Sequence, residues 1–157
     1  MNRPEPTHVA ARQQMQAGLR NFRDTASLYL AVSLGAVIGS VLRALVSMAS
    51  LALLGPGFPW GTLLVNIAGS FIIGFYAALT GPDGRFFVGS HTRQFVMTGI
   101  CGGFTTFSAF SLDTLRLVQS GNWPIAGVNV IISVFGWLAA VWLGNMLASR
   151  LNRLGGA

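Results

Sequence analysis

Four apolar runs, each about 20 residues or longer, constrain this chain more than any other feature. They are Ser27 to about Leu54, Trp60 to about Thr80, Phe95 to about Gln119 and Pro124 to about Ala148. A helix rises about 1.5 Å per residue, so about 20 residues cross a hydrocarbon core of roughly 30 Å. The runs lack the strict alternation that strands of a membrane barrel need. Of 157 residues, 52% are hydrophobic and 9% charged, a balance that a soluble domain could not carry on its surface. The expected fold class is therefore an all-α integral membrane protein with four transmembrane helices.

Three regions follow from the same pattern: a polar N-terminal tail over 1–26, a four-helix transmembrane domain over 27–148 and a C-terminal tail over 149–157. The turn Gly55-Pro56-Gly57-Phe58-Pro59 separates the first two runs, and a polar loop from Gly81 to Gln94 separates the second from the third. Residues 1–24 mix charged and amide side chains ahead of a run too long for a signal-peptide core, so they do not read as a secretory signal. The single cysteine, Cys101, rules out an intrachain disulfide and reads as a small buried residue. His8 and His91 stand far apart and offer no set of metal ligands.

All ten basic residues are arginine, against four acidic ones, and they sit in the tails and loops instead of forming one polar face. That placement suits membrane topology better than nucleic-acid binding. With four spans, both termini and the 81–94 loop share a side that holds Arg3, Arg12, Arg20, Arg23, Arg85, Arg93, Arg150 and Arg153. The opposite side holds Arg116 and Arg43, so the positive-inside tendency places the termini in the cytoplasm.

Small residues recur four apart in every run: Gly35 and Gly39, Ser70 and Gly74, Gly99 and Gly103, then Gly136, Ala140 and Gly144. Lipid supplies no hydrophobic drive between helices, so close backbone approach at small residues is what packs a bundle. Gly102-Gly103 is also the expected position of a break in the third helix. Backbone freed there survives only if it is buried in protein or lines a cavity, and its carbonyls could hold a cation.

Polar groups at membrane depth are functional candidates by default. Asn66, in GTLLVNIAGSF, has two amide N–H donors that can replace part of an anion's hydration, or can hold helices together by an interhelical hydrogen bond. Arg43 can concentrate anions in a vestibule or bond helix-end carbonyls, and the second role is favoured. On an unbroken third helix Phe104, Phe107 and Phe110 would form one stripe, with Thr105, Ser108 and Ser111 beside it. Ring edges are positive, so such a stripe can line an anion path or can simply pack a core.

Absences narrow the function further. No carboxylate lies deep in a span, because Asp113 is near the end of the third run and can pair with Arg116 one turn on. A proton-coupled exporter needs a titratable group at the midplane. No phosphate loop, nucleophile elbow or metalloprotease pattern is present, so nothing argues for an enzyme.

GAVIGSVLR (Gly35 to Arg43), GTLLVNIAGSF (Gly61 to Phe71) and GICGGFTTFSAFS (Gly99 to Ser111) occur in that order on successive runs. In this the chain resembles the Fluc/CrcB fluoride channel family over residues 27 to 148. The resemblance implies a dual-topology, antiparallel homodimer in the bacterial inner membrane, with two pores that pass fluoride passively out of the cytoplasm. It places the pore asparagine at Asn66 and the two fluoride-facing rings at Phe107 and Phe110, which leaves Phe104 to packing. It implies a central structural sodium ion held by backbone carbonyls of Gly102 and Thr105, a hydroxyl track including Ser108 and Ser133, and the family arginine at Arg43. Three positions depart from the pattern: Ala109 replaces a threonine, Asn129 a pore-facing tyrosine, and Trp137 stands where a small or hydroxyl residue is expected.

The leading reading is thus a fluoride-selective channel embedded in lipid, with a second copy of the chain as partner. The arginine asymmetry leaves an opposite-facing homologue as an alternative partner. A coupled small-molecule exporter and a structural membrane subunit without transport are the other readings.

Overall fold

A chain in lipid must satisfy its backbone N–H and C=O groups internally, and helices do so within one segment. The computed structural model describes residues 8–82 and 84–154, with side chains from Arg12 onward. Arg3, Asp83, the His8 side chain and the end of the C-terminal tail lie outside the described residues. Every regular element described is helical: α1 (His8–Leu54), α2 (Trp60–Leu79), α3 (Ser90–Gln94), a π-helical segment (Phe95–Cys101), α4 (Gly102–Phe104), α5 (Phe107–Gln119) and α6 (Trp123–Leu154). They make up four segments long and apolar enough to cross a membrane, the third running from Ser90 to Gln119.

The polar tail is not a separate element over its described part. Helix α1 begins at His8 and continues for 47 residues, roughly 70 Å, more than twice the hydrocarbon thickness. It stops at Gly55, whose φ of 76° only glycine adopts readily and whose N–H returns to the Leu51 carbonyl. At the other end of the bundle Asn152 of α6 donates to the Ala78 carbonyl (2.9 Å) and accepts from the Arg85 N–H (3.2 Å), which ties the loop after α2 to the fourth span.

Two helix pairs are packed backbone against backbone. A methyl group on Gly35 would lie 2.9 Å from the Gly99 Cα, and one on Gly103 would lie 2.9 Å from the Ala36 Cα. A methyl on Gly39 would meet the Ile100 carbonyl and lie 2.8 Å from the Phe104 nitrogen. These contacts press α1 onto the third span. In the second pair a methyl on Gly144 would lie 2.9 Å from the Phe75 nitrogen and one on Gly136 would lie 3.2 Å from Ile67 Cδ1, while Gly74 faces the Val141 carbonyl. The four-residue spacing of small residues is therefore a packing code. Ser70 differs from its partners in the pattern, since it lines a cavity.

The third span departs from expectation in two ways. Gly102 and Gly103 are helical, and the chain is extended instead at Thr105 (φ −84°, ψ 158°) and Thr106 (φ −154°, ψ 118°). Gly103 is needed for contact with Ala36, whereas β-branched threonines suit extended backbone. The residues before the glycines are wound as a π-helix, which no periodicity in FVMTGIC announces. Because two extended residues intervene, Phe104 and Thr105 do not continue the stripes of Phe107–Phe110 and Ser108–Ser111, which belong to α5 alone.

The glycine contacts yield a specific expectation. Gly103→Val should lower thermal stability, by about 1–3 kcal/mol or more, because backbone atoms of α1 cannot step aside for the added volume. Gly127→Ala, where nothing lies within 4 Å, should leave the melting point of the purified protein unchanged or slightly raised.

Candidate functional site

The extended pair Thr105-Thr106 leaves polar backbone groups to be satisfied deep in the bundle, and Asn66 of α2 meets them. Its Nδ2 donates to the Thr106 carbonyl (2.9 Å), and its Oδ1 accepts from the Thr106 N–H (2.7 Å). Both ends of one amide thus bond one residue's backbone, as a neighbouring strand would. Asn66 is buried, and the second N–H of its Nδ2 is left over from this clamp. The interhelical bond that the sequence left open is made, and it consumes half of the amide's donors.

Thr106 is also the N-cap of α5, because its hydroxyl accepts from the Ala109 N–H (3.1 Å). These diversions change what the preceding carbonyls see. The Thr106 N–H serves Asn66 and so no longer reaches back to Gly102, and the Ala109 N–H serves the Thr106 hydroxyl instead of the Thr105 carbonyl. The carbonyls of Gly102 and Thr105 have therefore lost their usual intrahelical donors. The Thr105 hydroxyl turns away to the Cys101 carbonyl (2.9 Å). One residue past Gly102, the Gly103 carbonyl accepts from Arg43 Nε (3.1 Å), and Ser40 approaches the same oxygen at 3.5 Å. The Arg43 guanidinium thus bonds a helix-end carbonyl of the third span.

Helix α5 carries the ring pair. Phe107 and Phe110 have centroids 5.6 Å apart with planes tilted by 48°. Phe110 is 8% exposed and meets Trp137 of α6 edge-on, with centroids 4.9 Å apart and an interplanar angle of 78°. Phe107 is 71% exposed on the single chain. A cavity of about 260 Å³ is lined by Asn66, Ser70, Thr105, Thr106, Phe107 and Trp137, among others, so the clamp, the extended pair and the first ring face one space.

The two serines of the expected track are not neighbours within the chain. Ser108 is exposed and shares a hydrogen bond with the Thr106 hydroxyl (3.1 Å). Ser133 is buried on α6 and approaches the Asn129 Oδ1 at 3.5 Å, while Asn129 donates to Thr114 Oγ1 (2.9 Å). Asn129 occupies its position as a satisfied buried amide. Phe104 sits against Gly69, where an added methyl would lie 3.4 Å from its ring.

Sequence reasoning missed two features. Thr106 organises the site, and the signal for it was present in a Thr placed three residues before Ala109, an N-capping pattern at the start of α5. Asp113 does meet Arg116, at 3.9 Å, but its shorter contact is the hydrogen bond it accepts from the Thr62 hydroxyl (2.6 Å), one turn before Asn66 on α2. That contact needed the pairing of α2 with α5, which no local pattern encodes. Asp113 and Thr62 line a larger opening of about 730 Å³ at the α1–α2 turn, together with Arg116.

Residues 30–145 match a family described as CrcB-like protein, Camphor Resistance (CrcB). A protein of Rhodopseudomonas palustris named fluoride-specific ion channel FluC 1 is 57% identical over 138 residues, covering 88% of this chain and 98% of its own length. A fluoride-specific ion channel FluC 1 of Bradyrhizobium diazoefficiens is 57% identical over 130 residues, covering 83% of this chain and 90% of its own. The fluoride-specific ion channel FluC of Opitutus terrae is 55% identical over 131 residues, covering 83% of this chain and 99% of its own. Channels move ions without making or breaking covalent bonds, so the class is not an enzyme class. With four apolar helices and relatives matched over nearly their whole lengths, this multi-pass membrane chain belongs to the CrcB-like family.

Proposed function

We propose that the chain is a fluoride-selective channel that lets fluoride leave the cytoplasm passively, assembled as an antiparallel, dual-topology homodimer. The observation that carries this reading is the cavity where Asn66, Thr106 and Phe107 meet, which includes one ring of a tilted pair and has no carboxylate among its described lining residues. Fluoride holds its hydration shell tightly, so a path for it must offer hydrogen-bond donors closely spaced enough to replace water. The remaining N–H of Asn66 is such a donor, and the hydroxyls of Ser108 and Ser133, which bond Thr106 and Asn129 in the single chain, would join it by turning to the ion along the path. The edges of Phe107 and Phe110 add positive partial charge without a fixed cation that would trap the ion. Arg43, bonded to the Gly103 carbonyl, adds a favourable field for anions near the interruption. Coupling to protons would require a titratable group at membrane depth, and the path described has none.

A second chain completes the reading. Phe107 is largely exposed on one chain, and a ring left in lipid would serve no path, whereas a partner's helices would close a narrow passage over it. Gly102, which lacks a side chain and is itself exposed, would lie at the same junction. The carbonyls of Gly102 and Thr105, deprived of helical donors, suit a sodium ion, a hard cation that prefers oxygen ligands. When bound, sodium would offset the carbonyl dipoles and join the two chains. An opposite-facing homologue in place of a second copy would appear as two distinct chains in the purified assembly.

Two experiments test the reading. Purified protein in liposomes should release fluoride rapidly without a proton gradient and exclude chloride. Phe107→Ile and Phe110→Ile should each slow release by at least about tenfold while leaving the dimer intact by size exclusion; no release from a folded dimer would sink the channel. Asn66→Asp keeps the acceptor for the Thr106 N–H but sets a carboxylate against the Thr106 carbonyl and against the anion. It should lower both melting temperature and fluoride flux, the first by the order of one lost hydrogen bond, about 1–3 kcal/mol.

A further inference from the structure

Helix α1 starts at His8, whereas the match to the CrcB-like family starts at residue 30, so the first part of this helix lies outside what the family accounts for. Residues 8–26 add about 28 Å of helix ahead of the apolar run that begins at Ser27. Among the described residues nothing covers this extension, and every side chain from Arg12 to Thr25 is exposed. Its base is nonetheless fixed, because His91 Nε2, at the start of the third span, lies 3.2 Å from the Asp24 carbonyl and 3.1 Å from the Ser27 hydroxyl. Met15, Leu19 and Phe22 are spaced i, i+4, i+7 and fall within about 60° of one another, an exposed apolar stripe. Much the same side of α1 continues into the span as the exposed Leu30, Val37 and Val41, across the helix from Gly35 and Gly39, which pack on the third span. Arg12, Arg20 and Arg23 lie beside the stripe, and none of them pairs with a carboxylate among the described residues.

We propose that residues 12–26 of α1 form a cationic amphipathic helix that docks on the headgroup layer of an anionic membrane, with Met15, Leu19 and Phe22 entering the interface and Arg12, Arg20 and Arg23 meeting lipid phosphates. Continuity is the first argument for lipid as the occupant. The stripe prolongs a face of α1 that is exposed along the span, and the apolar run from Ser27 to Leu54, about 40 Å long, exceeds a core of roughly 30 Å. A helix longer than the core tilts, and tilting leans the extension towards the surface instead of raising it straight into water. Charge is the second. Three arginines against Asp24 repel a second copy of the same segment and attract phosphate, which a guanidinium can bond in bidentate fashion. The third is the loop at the same end of the bundle, where Arg85, held through its N–H by Asn152, is followed by the exposed Phe86 and by Phe87, which is 95% exposed. Aromatic rings beside an arginine suit the boundary between headgroups and acyl chains. This docking surface stands apart from the ion path and does not depend on the channel reading.

Nitroxide labels on the full chain test the docking. On a Cys101→Ala background, Leu19→Cys and Phe22→Cys place a label on the stripe, and Ala17→Cys and Asn21→Cys place one across the helix. Each variant is reconstituted in vesicles of phosphatidylcholine alone or mixed with phosphatidylglycerol. With phosphatidylglycerol present, collisions with a water-soluble nickel chelate should fall severalfold at 19 and 22 relative to 17 and 21, and high salt should restore them. Changing Arg12, Arg20 and Arg23 to glutamine should weaken the docked state by roughly fivefold for each arginine removed. Equal exposure of all four labels in both lipids overturns the proposal, because the extension then stands in water. Protection at 19 and 22 that ignores phosphatidylglycerol overturns the lipid assignment, and its fading on dilution of the protein identifies a second copy as the occupant. If the Cys101→Ala background does not fold, amide hydrogen exchange over residues 12–23 of the unmodified chain decides. Severalfold slower exchange with phosphatidylglycerol supports docking, and equal rates in both lipids overturn it.

Discussion

Two hydrogen bonds between the Asn66 side chain and the Thr106 backbone hold the centre of this molecule, and most of its local geometry follows from them. Extended backbone at membrane depth is tolerated only if something in the protein satisfies it. A side-chain amide is suited to the task because it carries a donor and an acceptor on one planar group, in the arrangement of a peptide unit. Once Thr106 is held in this way, its hydroxyl is positioned to cap α5, and the cap sets where Phe107 and Phe110 begin their helix. The same diversion of N–H groups strips Gly102 and Thr105 of their helical donors. One clamp therefore yields both a fixed ring pair and a pair of free carbonyls.

The clamp can form only because the helices around it are close. Gly35, Ala36 and Gly39 of α1 lie directly on Gly99 and Gly103 of the third span, and α2 meets α6 through Gly74, Gly136 and Gly144. In lipid this proximity is gained from dispersion contacts and from hydrogen bonds that small residues permit, such as the one from Arg43 to the Gly103 carbonyl. Gly69 plays a related part on α2, since a methyl there would strike the side chain of Thr105. The extended pair thus fits against α2 because the residue three positions after Asn66 has no side chain. Packing and polar satisfaction are coupled, and neither would hold at this depth without the other.

The electrostatic character of the region comes from donors without formal charge. Asn66, Ser70, Thr106 and the Phe107 ring line one small space, and none of them carries a formal charge, while Asp113 is tied to Thr62 and Arg116 in a separate opening. Neutral donors stabilise an anion enough to let it shed water but not so strongly as to hold it, which is the balance that conduction demands. The proposed fluoride path draws on that balance.

The membrane class, the four spans and the four-residue rows of small residues were legible in the linear chain, because hydrophobic length and helical periodicity are local properties. The pairing of Asn66 with the residues around Phe107 was legible only through motif resemblance. Tertiary structure alone decided the rest. It moved the extended backbone from the glycines to Thr105-Thr106, because Gly103 is consumed by its contact with Ala36 and a partner for freed backbone exists only where α2 presents Asn66. It wound Phe95–Cys101 as a π-helix against α1, and it buried the Trp137 indole N–H without a partner among the described residues. These outcomes depend on which groups from distant parts of the chain come within hydrogen-bonding reach, and reach across helices is not encoded in any window of sequence.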